Sequence, residues 1–202
     1  MQFHCKEIMI LNSYFWRFQP SAEKTEVSIF HLNNREANRT LNVQLEGTQL
    51  KHNPTPRYLG VDFDRSLTFE AHIRRTCQKM KTRTNLIQRI SGVGWGADAN
   101  TLRTAVMGLV IAPAEYCCQS FIGSTHVVTI EVQINCALRI ISGSVKSTPL
   151  AWLPVMANIA PPKLRRLSAL NKLYSNCDES KQSLIYNYRK HLPNNRLKRK
   201  TP

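Results

Sequence analysis

Five cations, Arg74, Arg75, Lys79, Lys81 and Arg83, fall within ten residues of one another. They suit one kind of chemistry above others, contact with phosphate, because each such contact releases condensed counterions. Elsewhere the reactive side chains are sparse. Asp62 and Asp64 lie two apart, a spacing at which carboxylates on a loop can share a cation. In an extended strand both point to one face, opposite Phe63, and we assign them no metal. The six cysteines form no C-x-x-C pair, and the six histidines complete no zinc pattern with them. Adjacent Cys117 and Cys118 are poor joint ligands, so the thiols read as reduced, small apolar residues. No Ser-His-Asp or Cys-His set, Gly-rich phosphate loop or H-E-x-x-H run is present.

Periodicity predicts the elements that carry these groups. From Ile73 the apolar residues recur as Cys77, Met80, Ile87 and Ile90, near a seven-residue repeat, with Thr84 in the gap. That spacing predicts an amphipathic helix from about Phe69 to Ser91 with the cations and Arg89 on its polar side, interrupted by Leu86. Thr68 is the expected N-cap, with Ala71 where a capping-box acid would sit, and Gly92 is the stop. Upstream the period is two. Glu26 to His31 reads as a short strand with Val27 and Ile29 on one face. Leu41, Val43 and Leu45 begin another, Glu46-Gly47-Thr48 makes a hairpin turn, and Gln49 to Lys51 returns. Pro54 and Pro56 keep the chain extended up to Tyr58. Met9 to Phe18 has near-helical spacing, and Pro20 to Glu23 forms a turn.

Downstream, Asp98 or Asn100 can cap a helix through Leu102, Val106, Leu109 and Val110, interrupted at Pro113. Residues 125–142 alternate like a strand at Val128, Ile130, Val132, Ile134 and Cys136, yet the run has helix length, and length favours helix. Thr148-Pro149 and Pro161-Pro162 read as helix starts. The second leads into the stripe Leu164, Leu167, Leu170 and Leu173, beside Arg165, Arg166 and Lys172. After Cys177 the pattern is lost, and residues 178–202, with the cluster Arg196 to Lys200, read as a disordered tail.

Composition is globular, with 42% apolar residues in 202. The net charge is +15, and it is one-sided. Residues 1–70 balance eight Lys or Arg against eight Asp or Glu, whereas residues 71–202 hold 20 basic and five acidic residues. Such an excess favours a polyanion as partner, with a merely solvated basic face as the alternative. No apolar run is long enough to span a bilayer, and the N-terminus lacks a secretory signal pattern. The expectation is a soluble intracellular chain, nuclear or cytoplasmic, with no membrane partner.

Two segments carry a family resemblance. Lys24-Thr25-Glu26 runs into the strand at Val27, and Tyr58-Leu59-Gly60-Val61 is followed at fixed spacing by Leu67, Phe69 and His72. Together they resemble the end of the reverse transcriptase domain of non-LTR (LINE/jockey-type) retrotransposons. The likeness continues in order through Gly94-Trp95-Gly96, Thr101-Leu102-Arg103, Glu115-Tyr116-Cys117, Ala137 to Ile140, Ser147-Thr148-Pro149, Leu153-Pro154 and Pro161 to Arg166. It covers roughly residues 20–170.

The resemblance implies an RNA-directed DNA polymerase, a nucleotidyltransferase of a transposable element, represented by its palm edge, primer-grip hairpin and thumb. Under it Lys24 is the lysine beside the incoming triphosphate, where a cation neutralises or protonates departing pyrophosphate. Ser21-Ala22-Glu23 stands where the family usually has Asn-Pro before that lysine. Tyr58, Leu59 and Gly60 grip the primer, Gly60 allowing close approach of backbone to sugar-phosphate. Asp64 is a capping and turn residue, and His72 is structural. Arg74, Arg75, Lys79, Lys81 and Arg83 face the phosphates of an RNA–DNA hybrid or primer duplex. The family's metal-binding aspartates lie before the first segment. The expectation is therefore a truncated copy without its catalytic site, inactive alone, with no cofactor of its own and Mg2+ needed only by the complete enzyme.

The fold class expected is α+β, with short antiparallel strands and hairpins over about 26–64 and a mainly helical bundle over about 68–176. Its parts are 1–64, partial palm and grip; 65–177, thumb or connection; and 178–202, the basic tail. Two other readings stand beside the polymerase fragment: a stand-alone nucleic-acid-binding module, and a retroelement relic without function.

Overall fold

Tight turns rather than long strands organise the first part of the chain. The computed structural model describes residues 21–31, 33–92, 94, 96–180 and 186. The chain is α+β and divides into two units, Met1–His72 and Ile73–Pro202. The expected helix at Met9 to Phe18, Trp95 and the basic cluster at Arg196 to Lys200 lie outside the described residues.

In the first unit, β2 (Gln44–Leu45) and β3 (Thr48–Gln49) pair antiparallel, as do β5 (Arg57–Tyr58) and β6 (Val61–Asp62). Both connections are two residues long with positive φ at both positions: Glu46 at 51° and Gly47 at 79°, Leu59 at 46° and Gly60 at 84°. These are type I′ turns, whose twist matches that of paired strands. The third pair corrects the expectation of antiparallel strands throughout. β1 (Glu26–Val27) runs parallel to β4 (Lys51–His52). Between them the chain makes the short helix α1 (Asn34–Ala37) and the β2–β3 hairpin, a connection long enough for a parallel return. Side chains extend this two-residue strand: Ser28 Oγ donates to the Asn53 carbonyl at 2.7 Å and Asn53 Nδ2 to Glu26 Oε2 at 2.6 Å. Leu50, Val61, Phe69 and His72 are buried. The Phe63 ring lies 5.9 Å from Phe30 and 5.7 Å from Phe69.

The division between units falls in the first turn of α2 (Glu70–Arg89). This helix buries Ile73, Met80 and Ile87, with Thr76 and Thr84 between them, while Cys77 is half-buried. Ile90 is exposed, contrary to expectation, because the helix ends one residue before it. Asp98 caps α3 (Ala99–Val106), its carboxylate accepting from the Thr101 amide at 3.3 Å. A π-helical turn follows at Met107–Ile111, then α4 (Ala112–Glu115), which contains Pro113. The π turn inserts an extra residue, so Leu109 faces outward although the helical spacing from Leu102 and Val106 expects it inside.

Next come α5 (Cys118–Phe121) and α6 (Val127–Ser142), where length did decide for helix. Val127, Ile130, Ile134, Ala137, Leu138 and Ile141 of α6 are buried, and Gly143 closes it in the left-handed conformation at φ 62°. Thr148-Pro149 starts a turn rather than a helix, the Trp152 amide donating to the Pro149 carbonyl at 3.1 Å. Helix α7 begins only at Leu153 and ends at Met156. Pro162 does start α8 (Pro162–Glu179), which runs two residues past the expected end of pattern. Half of its leucine stripe lies on the packed side, where Leu170 and Leu173 are half-buried. Arg166 and Cys177 are buried, while Leu164 and Leu167 are exposed. Among the described residues no helix is long and apolar enough to cross a membrane.

Candidate nucleic-acid interface

The hairpin tip in the first unit is held by an unusual backbone. Type I′ turns want Asn or Gly first, and here Leu59 occupies that left-handed position beside Gly60. A branched side chain there is strained by about 1–2 kcal/mol, and such strain tends to sit where function wants it. The turn also takes Leu59 out of strand alternation. It is 71% exposed, as Tyr58 is largely exposed, whereas strand alternation with Val61 would bury Leu59 in a hairpin docked on the helices. Val61 is buried. The tip thus presents an aromatic ring, an aliphatic side chain and the bare backbone of Gly60.

Neighbouring charges are committed to the fold. Asp62 Oδ1 accepts from Arg57 Nε at 2.7 Å, across the hairpin from its register partner. The buried Asp62 amide donates to His72 Nδ1 at 3.4 Å, so His72 serves here as a structural acceptor.

Asp64 organises the approach to α2. Its Oδ2 accepts from the Thr68 amide at 2.9 Å, the Thr68 hydroxyl at 2.7 Å and the Ser66 hydroxyl at 3.2 Å; its Oδ1 accepts from the Phe69 amide at 2.5 Å. Asp64 therefore satisfies the Thr68 and Phe69 amides just ahead of the helix, and it lets Leu67 and Phe69 adopt φ of 54° and 60°. Partial burial pulls its pKa up, but the bonds from Thr68, Phe69 and Ser66 outweigh that and hold the carboxyl below its ordinary 3.8.

Mg2+, which the resemblance implies only for a complete enzyme, is not fitted by these carboxylates. Both aspartates are spent on Arg57 and on the turn, and among the described residues no group of three His, Cys, Asp or Glu could hold a metal. Lys24 lies exposed in a turn, its amide donating to the Ser21 carbonyl at 3.2 Å just before β1.

In the second unit the cations of α2 divide by position. Arg74, Lys79, Lys81 and Arg89 are exposed, and Arg75 is half-buried. Arg74 and Lys81 are seven residues apart, so they share one edge of the polar face at about 10 Å separation along the axis, at about 1.5 Å per residue. Lys79 occupies the other edge, and Gln78 and Asn85 fill the space between with exposed amides. Arg83 is different. It sits at the apolar boundary, half-buried, and its Nη1 donates to the Leu109 carbonyl at 2.8 Å. Arg165 and Arg166 of α8 are likewise engaged inside the fold: Arg165 Nη2 lies 2.6 Å from Glu115 Oε2, and Arg166 pairs with Glu131. Gln78 and Asn85 join Arg89 on the candidate face; their place between the cations on the helical repeat was the signal for them.

Comparison of the chain with family models, with curated proteins and with solved structures gives no match.

Proposed function

We propose that this chain is the palm edge, primer-grip hairpin and thumb of a reverse transcriptase of the non-LTR retrotransposon type, and that what it does is hold a nucleic-acid duplex. The observation that carries this is the division of α2. Ile73, Met80 and Ile87 are buried, while Arg74, Lys79, Lys81 and Arg89 stand in solvent with amides between them. Cations spread along an exposed helix face suit phosphate contacts, which carry no sequence information, so binding is indifferent to sequence and steep in salt. Supporting it, the tip at Tyr58, Leu59 and Gly60 offers surfaces suited to a sugar and a terminal base.

We assign no step of nucleotidyl transfer to these residues, because Asp62 and Asp64 serve the hairpin and the helix start. Lys24 keeps the pyrophosphate-side role only as part of a complete enzyme of this type. The test is equilibrium binding of the purified chain to an RNA–DNA hybrid across a salt series. The proposal expects a steep linear fall of log affinity with log salt and equal affinity for unrelated sequences. Salt-independent or strongly sequence-selective binding would contradict it. Template-dependent incorporation of deoxynucleotides with Mg2+ would contradict the inactive part of the reading.

A further inference from the structure

The segment around α7 is apolar on both sides. Leu153, Pro154 and Ala157 are buried against the fold, while Trp152, Val155 and Met156, at positions i, i+3 and i+4 of the same turn, face out. A helical turn that is apolar all round belongs inside an assembly, yet Trp152 is 60% and Val155 70% exposed. The patch extends on both flanks. Ser144 Oγ lies 3.7 Å from Met156 Sδ, which brings the turn at Val145 beside it, and Leu150 precedes Trp152. Val145 and Leu150 are themselves exposed. Tryptophan and methionine are residue types enriched where proteins meet.

Charge says what fits. Between Glu131 and Asp178 the sequence has no carboxylate. Lys146 adjoins Val145, and Arg139 Nη2 approaches the Lys146 carbonyl at 3.5 Å, so the patch is bordered by cations. A second copy of the chain, at +15, would be repelled. Four of the five apolar side chains have no ring on which a base could stack. The turn is also far shorter than the amphipathic helices that lie in membranes. We propose that this face docks an acidic amphipathic helix of a partner protein, its apolar stripe on Trp152, Val155 and Met156 and its carboxylates toward Lys146 and Arg139.

The test uses the full chain and a labelled 18-residue synthetic helix with leucines on one face and glutamates elsewhere, followed by fluorescence anisotropy. Controls are the same helix with lysine for glutamate, a scrambled acidic peptide, and phosphatidylserine vesicles. The acidic helix should bind, the lysine helix and the scrambled peptide should not, and both Trp152→Ala and Val155→Ser should weaken binding at least tenfold. These residues are exposed, so circular dichroism should be unchanged. Trp152→Phe, which keeps an aromatic ring, should retain most of the affinity. The proposal falls if the scrambled peptide binds equally well or if both variants bind like wild type, since charge alone then explains the binding. It falls too if vesicles bind in a Trp152-dependent way while the helix does not, or if Val155→Ser dissolves a dimer of the free chain.

Discussion

Arg83 Nη1 donates to the Leu109 carbonyl at 2.8 Å, and the reason lies four residues on. In an α-helix that carbonyl would accept from the amide of residue 113, which is proline and has none. The helix responds with the π turn at Met107–Ile111, and a guanidinium from α2 supplies a donor. Arg83 thus works in the fold, and with Arg75 also half-buried the cation cluster on α2 that faces solvent is two smaller than its sequence makes it look.

Removing that donor should cost about 1 kcal/mol, the usual net worth of such a bond. Arg83→Met is expected to lower stability by that amount in urea denaturation. In a Pro113→Ala background, where residue 113 has an amide, the same change should cost less. Additive effects of the two substitutions would show that Arg83 and Pro113 are not coupled.

The hairpin tip trades stability for what it displays. Leu59→Asn places Asn-Gly in the type I′ turn, which prefers it, and should stabilise the chain by about 1 kcal/mol, from the relief of left-handed strain. The same variant should bind an RNA–DNA hybrid less well, because the exposed aliphatic side chain is gone. A loss of stability on this substitution would mean the turn is not strained at Leu59.

Asp64 gives the chain an acid-sensitive joint. Its folded pKa lies below the unfolded 3.8, so its contribution is fully present above that value and is lost as pH falls through the lower folded pKa. Asp64→Asn should destabilise by about 1–3 kcal/mol at pH 7, and the difference from wild type should shrink below pH 3.8. Hydrogen exchange at the amides of Thr68 and Phe69 reads this directly. Protection there that is equal in the two proteins at neutral pH would remove Asp64 from this role.

Helix α8 is pinned by charge at its start. The Arg166 side chain is 5% exposed and that of its partner Glu131 35%. Glu131→Gln strands a buried cation and should cost about 3 kcal/mol, whereas Arg166→Met leaves a carboxylate that water can reach and should cost about 1. Thermal denaturation of the two variants checks the order, and the reverse order would contradict the pairing.

Much of this was legible in the residues and some was not, for physical reasons. The seven-residue repeat of Ile73, Met80 and Ile87 announced α2, Glu46-Gly47 announced a turn, and Pro162 announced α8, because each is a local preference. Ile90, Leu109 and Leu59 went astray by small local events: a helix end, an inserted residue, a left-handed turn. The parallel pairing of β1 with β4 and the burial of Arg166 depend on partners 25 and 35 residues away, which periodicity does not see. In the candidate interface, exposure confirmed Arg74, Lys79 and Lys81 as solvent-facing, while Arg83 needed the position of Leu109 to be understood.

The most direct test of the account is the salt slope of hybrid binding by the triple variant Arg74→Gln, Lys79→Gln, Lys81→Gln, with Arg83→Gln measured alongside. Three lost phosphate contacts should reduce the slope of log affinity against log salt by about 2.7, at about 0.9 per phosphate on B-DNA. The Arg83 variant should leave the slope unchanged. An unaltered slope in the triple variant would show that the basic face of α2 is solvated surface, and the duplex-holding function proposed here would be wrong.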